Sequence, residues 1–192
     1  MPRFAAPAVL AVSIVLTLSA CVEADDQPSV PTGSPTPTAT ATSEPTTVPT
    51  PVDEPLTVTC GELVDADAVY AFDPNYALLG SWDPASGTDA AEAVAVGGVA
   101  CQLVRESGGG TIDLSVARLD EETLVDVKNA AFADSQMVPT YGEEAYFEVE
   151  DGVGTAIVFQ GPYWLVISSA AFAEPGEPTE IIDAALAALP AT

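Results

Sequence analysis

The sequence predicts an α+β fold: an antiparallel sheet of about five strands with helices packed on one side, in the order α-(α)-β-β-α-β-β-β-α. Three observations carry this. Residues 145–168 read as three consecutive strands, divided at Asp151-Gly152 and Gly161-Pro162. Residues 99–116 read as two more, divided by Gly108-Gly109-Gly110. The intervening segments begin with helix-capping residues and continue as apolar stripes of helical period.

In chain order, Thr57-Val58-Thr59-Cys60 is a short extended lead-in. Asp65 is an N-cap for a helix over residues 66–72, with Leu63, Val64, Ala68, Val69 and Phe72 turned inward. Asp73-Pro74 ends it, because the residue before a proline avoids the helical region. Residues 76–87, with Trp82, Pro84 and Gly87, read as an ordered loop. Thr88 caps a brief helix through Val96, which Gly97-Gly98 stops. Val99, Cys101 and Leu103 then alternate with Ala100, Gln102 and Val104, and Ile112, Leu114 and Val116 alternate with Asp113 and Ser115. Asp120 caps a helix to about Ala133, with Leu124, Val127 and Ala131 as its apolar stripe and Glu121 and Glu122 at its positive end. Ala145, Phe147 and Val149 alternate with Tyr146, Glu148 and Glu150, and Glu148 and Glu150 are expected on a solvated strand face. The runs TAIVF and YWLVI are unbroken and apolar, as central strands are. Thr179 or Glu177 opens a last helix whose inner face is Ile181, Ile182, Ala185, Leu186 and Leu189.

This globular part, residues 56–192, follows two segments of different character. Residues 1–20 hold an apolar run from Phe4 to Leu18, too short for a bilayer span of about 20 residues, preceded by Arg3. It has the proportions of a secretory signal peptide. Residues 21–55 are dominated by Pro, Thr, Ser and Ala and contain no aromatic residue. Such a segment cannot bury enough apolar surface to offset its ordering entropy. Its prolines favour extended polyproline II, so it would act as a disordered stalk reaching at most ~100 Å.

The residues joining these segments, Leu18-Ser19-Ala20-Cys21, resemble the lipobox of bacterial lipoproteins. Leu18 matches the apolar position, Ser19 and Ala20 the small ones, and Cys21 the lipidated one. The resemblance implies a diacylglycerol on the Cys21 sulfur and removal of the signal just before it. Two acyl chains hold a protein stably where one holds it marginally. The expected location is therefore the outer face of the cell membrane. The alternative is an ordinary secretory signal that happens to contain Cys21.

Cys60 and Cys101 are then the one cysteine pair of an exported domain, where disulfides persist. Closing that loop contributes on the order of 3–4 kcal/mol in the chain-entropy description. Two free thiols or a metal site are the alternatives, and with no His in the chain a metal site is short of ligands. The domain also resembles, loosely, small actinobacterial lipoproteins of unknown function. The shared features are Cys60-Gly61-Glu62-Leu63 at a short helix, Gly97 or Gly98 leading to Cys101, Gly142-Glu143-Glu144-Ala145-Tyr146-Phe147, and a closing Ala/Leu helix. A Trp common in those proteins one position after the second cysteine's neighbour is Leu103 here. The resemblance implies a Cys60–Cys101 disulfide and brings no agreed activity.

The chain carries 29 Asp and Glu against 4 Lys and Arg, a formal charge of −25. Nucleic acid is not an expected partner, because phosphate binding needs clustered cations. Without His, neither a Ser-His-Asp nor a Cys-His arrangement exists. Lys128 is read as a charge on the wet side of its helix. The paired carboxylates Asp65/Asp67, Glu121/Glu122, Glu143/Glu144 and Glu148/Glu150 are too common in so acidic a chain to mark a catalytic cleft. Asp65-Ala66-Asp67 falls short of a calcium loop, and Gly108-Gly109-Gly110 lacks the Lys-Ser/Thr of a phosphate loop. No metal and no cofactor are called for. Tyr76, Trp82, Tyr141, Tyr146, Tyr163 and Trp164 belong to the core first and to a pocket or partner surface second. The expected role is a non-catalytic binding or interaction module of the cell envelope, whose partner is an envelope protein, a cell-wall component or a small ligand. A carrier of a lipid or small hydrophobic ligand is the alternative, and a carboxylate hydrolase stands last.

Overall fold

The computed structural model describes residues 55–191. Among them are five helices and seven strands. The chain opens with α1 (Cys60–Leu63) and α2 (Ala66–Phe72), then β1 (Tyr76–Ser81), α3 (Asp89–Ala95), β2 (Val99–Arg105) and β3 (Thr111–Arg118). It continues through α4 (Glu121–Asp134), β4 (Gln136–Met137), β5 (Glu144–Glu150), β6 (Val153–Gln160), β7 (Tyr163–Ser169) and α5 (Thr179–Ala188). All strands join one antiparallel sheet in the order β1-β2-β3-β7-β6-β5-β4.

The caps follow from short polar side chains that accept otherwise unpaired helical N–H groups. Asp65 accepts from the Ala68 amide at 2.8 Å, Thr88 from Ala91 at 3.3 Å and Asp120 from Thr123 at 2.9 Å. The lead-in is helical one residue earlier than the sequence reading: Glu62 accepts from both the Thr59 amide and the Thr59 hydroxyl, which starts α1 at Cys60. The β5–β6 hairpin turns on Asp151 and Gly152, both at positive φ, as a tight primed turn requires.

The sheet has seven strands rather than about five. β1 occupies the segment read as a loop. Its alternation is broken because Gly80, at φ 103°, shifts the register between Leu78 and Gly80, so an edge strand with a bulge hides the period-2 signal. β4 is two residues long, below what any pattern can register.

The helices lie on both sides of the sheet, not on one. Side chains alternate cleanly between two clusters. Leu103, Ile112, Leu114, Val116, Val158, Leu165 and Ile167 face Leu63, Val69, Ile181, Ile182 and Ala185 of α1, α2 and α5. Ala117, Tyr146, Ile157, Phe159, Trp164 and Val166 face Ala93 and Ala131 of α3 and α4, with Val96, Leu124 and Val127 alongside. The physical reason was present in TAIVF and YWLVI: an antiparallel strand with no polar face must be covered on both. Each such side chain buried stabilises the fold by about 1.5–3 kcal/mol. For the same reason Ala145, Tyr146 and Phe147 are all buried, at 1%, 2% and 5% exposure, so both faces of this part of β5 are covered, while Val149 further along stands 51% exposed. Beneath α3 the layers approach closely: a Cβ at Gly98 would lie within 2.6 Å of the Ala93 carbonyl oxygen and 2.9 Å of Ala117 Cβ.

Candidate functional site

Leu18, Ser19, Ala20 and Cys21 lie outside the described residues. Three features inside them bear on function.

The first is the disulfide between Cys60 and Cys101. It ties the single turn of α1 to β2, with both cysteines buried, at 7% and 1% exposure. A one-turn helix has no stability of its own. The crosslink, with Leu63 and Val64 in the core, fixes the start of the domain onto the sheet.

The second is an apolar patch beside the β4 margin. Phe132 on α4 is 67% exposed and meets the buried Tyr146 ring edge-on, with centroids 6.5 Å apart. Met137, paired with Tyr146 in the sheet, is 56% exposed. Val125, two turns before Phe132, is exposed as well. A charged network holds the base of this patch. Lys128 binds Glu144 at 2.9 Å and lies 5.2 Å from the centre of the Phe159 ring, so it is half-buried rather than on a wet helix face. The Tyr146 hydroxyl donates to Glu144 at 2.7 Å. Lys128 holds the Glu144 carboxyl below the usual range, with Tyr146 adding to this and burial opposing it. Burial, and then the Glu144 carboxylate, push Tyr146 up to about 12. Close by, Asp89 is raised, by burial first and then by the charges of Glu92 and Glu148.

The third is a groove of about 430 Å³ at the strand ends, bordered by Tyr76, Arg105, the triple-glycine turn, Asp113 and Ser168-Ser169. Arg105 lies 5.9 Å from the centre of the Tyr76 ring and pairs loosely with Asp73 at 3.8 Å. Asp73 is itself committed to Asn75, whose backbone and side chain hold its pKa low. The walls are made rigid by polar pairs across the sheet. Gln102 donates to Asp113 Oδ1 at 2.8 Å, Ser168 pairs with Thr155 at 3.0 Å, and the Ser169 hydroxyl donates to the Thr111 carbonyl at 2.6 Å.

The sequence-named aromatics divide accordingly. Tyr141, Tyr146, Tyr163 and Trp164 are core residues, and Tyr76 is a core ring whose hydroxyl end reaches the groove. Among the described residues, the buried atoms Tyr141 Oη and Trp164 Nε1 have no hydrogen-bond partner. Arg105 and Phe132 were not singled out from sequence. A lone Arg and a lone Phe carry no pattern, and their meaning comes from what the fold sets beside them. Among the described residues, no helix is long and apolar enough to cross a membrane, and no cluster of His, Cys, Asp and Glu has the arrangement of a metal site. Comparison with models of protein families, with curated proteins and with solved structures finds no match to this chain.

Proposed function

We propose that this chain is a lipid-anchored protein of the outer membrane face, whose globular domain is a non-catalytic interaction module of the cell envelope. Leu18-Ser19-Ala20-Cys21, placed directly after a short apolar run, supports the anchor. The Pro/Thr-rich stretch supports a stalk, and the disulfide is consistent with an oxidising compartment. The observation that carries the interaction reading is Phe132. A phenyl ring left two-thirds in water, beside an exposed Met, over a buried aromatic, is what a partner surface needs at its centre. The reading is preferred to a lipid carrier because the side chains that would line a cavity between sheet and helices pack into two continuous clusters.

Two experiments test it. Cys21→Ser should move the protein from the membrane fraction to the soluble exported fraction; equal membrane retention sinks the anchor. A photo-crosslinking residue at position 132 in cells should capture a defined envelope partner, and Met137→Glu should abolish that capture while leaving the melting temperature within a few degrees. Capture that is absent, or indifferent to Met137→Glu, sinks the interaction surface.

A further inference from the structure

We propose that the apolar patch formed by Val125, Phe132 and Met137 receives a basic amphipathic helix of a partner protein, with the apolar residues of that helix on the patch and its Lys or Arg side chains on the carboxylates around it. The inference rests on the interaction reading and specifies the chemistry of the partner.

Charge decides which occupant fits. An exposed apolar patch is covered by a membrane, by a second copy of the chain or by another protein. The chain has a formal charge of −25, so an anionic lipid surface repels it. A second copy would pair the patch with itself about a twofold axis, and each acidic rim would face the other. A basic partner meets attraction instead.

The rim is acidic at both ends of the patch. Glu121, Glu122 and Asp126 are exposed within one turn of Val125. Asp134 closes α4 just after Phe132, with no basic residue in the last turn. A carboxylate there adds to the negative pole of the helix, and an incoming cation relieves both. Glu148 lies against the same helix end, accepting from the Ser135 hydroxyl at 3.1 Å. It is also one of the two carboxylates that, after burial, raise Asp89. Lys128 stands between Val125 and Phe132 on α4 but is engaged with Glu144 at 2.9 Å. The negative charge at the end of α4 is therefore left for a partner to answer.

Spacing selects a helix over a strand. Val125 and Phe132, both exposed, stand two turns apart on one face of α4, about 10 Å along its axis. An amphipathic helix laid alongside repeats its own apolar residues at the same interval. Met137, paired with Tyr146, extends the apolar surface past the helix end. β4 itself is two residues long and gives an added strand almost no template.

The test is fluorescence anisotropy with the full chain carrying Cys21→Ser and a labelled Leu/Lys peptide whose leucines fall at i, i+3, i+4 and i+7. The controls are the same residues shuffled so that no apolar face forms, and a Leu/Glu peptide of the original pattern. The Leu/Lys helix should bind, with both controls at least about tenfold weaker. The shuffled peptide separates docking on the patch from general attraction to an acidic surface. Phe132→Ser should weaken the helix about tenfold; Met137→Glu serves if that variant fails to fold. Asp134→Asn and Glu148→Gln should each weaken it about two- to fivefold. Equal binding of either control, indifference to Phe132→Ser or to both charge variants, self-association of the chain at physiological salt, or binding to phosphatidylglycerol vesicles overturns the proposal. Capture through position 132 that Met137→Glu abolishes and the charge variants leave unchanged retains the patch and overturns the basic helix, whereas absent capture sinks the patch itself.

Discussion

Removing the disulfide by Cys60→Ala/Cys101→Ala should cost the domain about 4 kcal/mol. The two cysteines are 41 residues apart. In the chain-entropy description a loop of that size constrains the unfolded chain by about 13 cal/mol/K, or about 4 kcal/mol at 25 °C. Total stabilities of single domains run at ~5–15 kcal/mol, so the loss is a quarter or more of the whole. With urea slopes of ~1–3 kcal/mol/M, the unfolding midpoint should fall by roughly 1.3–4 M. A local effect should accompany the global one. The Leu63 and Val64 amides donate to Thr59 and Cys60 within α1, and without the crosslink this single turn is held only by packing. Their hydrogen exchange should quicken more than that of the β3–β7 pair. Urea unfolding followed by circular dichroism, with exchange read by mass spectrometry, measures both. A midpoint shift below about 0.3 M at unchanged slope would refute the reasoning, because the loop would then place no constraint on the unfolded chain.

Gly154→Ala should destabilise by ~1–3 kcal/mol, since the new methyl is driven against the Phe172 carbonyl and within 2.8 Å of Phe172 Cβ; a melting temperature within about 1 °C of wild type contradicts this. Tyr146, held protonated up to about 12 against an ordinary 10.0, contributes stability that is complete below pH 10 and lost as pH rises toward 12. Tyr146→Phe should therefore show a shallower alkaline decline in chemical denaturation, and parallel curves argue against it. Asp89 has the same sign of shift: the native state holds its proton more tightly, so stability falls as pH rises from 3.8 through the raised value. Asp89→Asn should be more stable than wild type at neutral pH, with the advantage gone at about pH 3; equal neutral stabilities would show that neither burial nor the Glu92 and Glu148 charges disfavour its carboxylate.

The legible parts of the fold were those with local physical causes. Asp65, Thr88 and Asp120 cap where short acceptors precede apolar stripes, and Ile181, Ile182 and Ala185 bury as their spacing requires. What was hidden depended on neighbours distant in sequence. β1 becomes a strand by pairing with β2, and the Gly80 bulge erases its alternation. Tyr146 is a core aromatic in the sequence reading as in the structure, but that α4 is what covers its face of the sheet is recorded by no residue of β5. The candidate site divides in the same way. The cysteine pair was readable by counting, whereas Arg105 acquires significance only when β1 sets Tyr76 beneath it and β7 brings Ser168 and Ser169 alongside.

Helices on both surfaces of the sheet have a consequence for recognition. The middle strands have no bare floor on which a visitor can lie. What stays accessible is the perimeter: the tips of the strands, where the triple glycine turns, and the short β4 border beneath Phe132. Contacts made at a perimeter can be strengthened or exchanged with little repacking of the interior, so a chain built this way can change its companions while keeping its core.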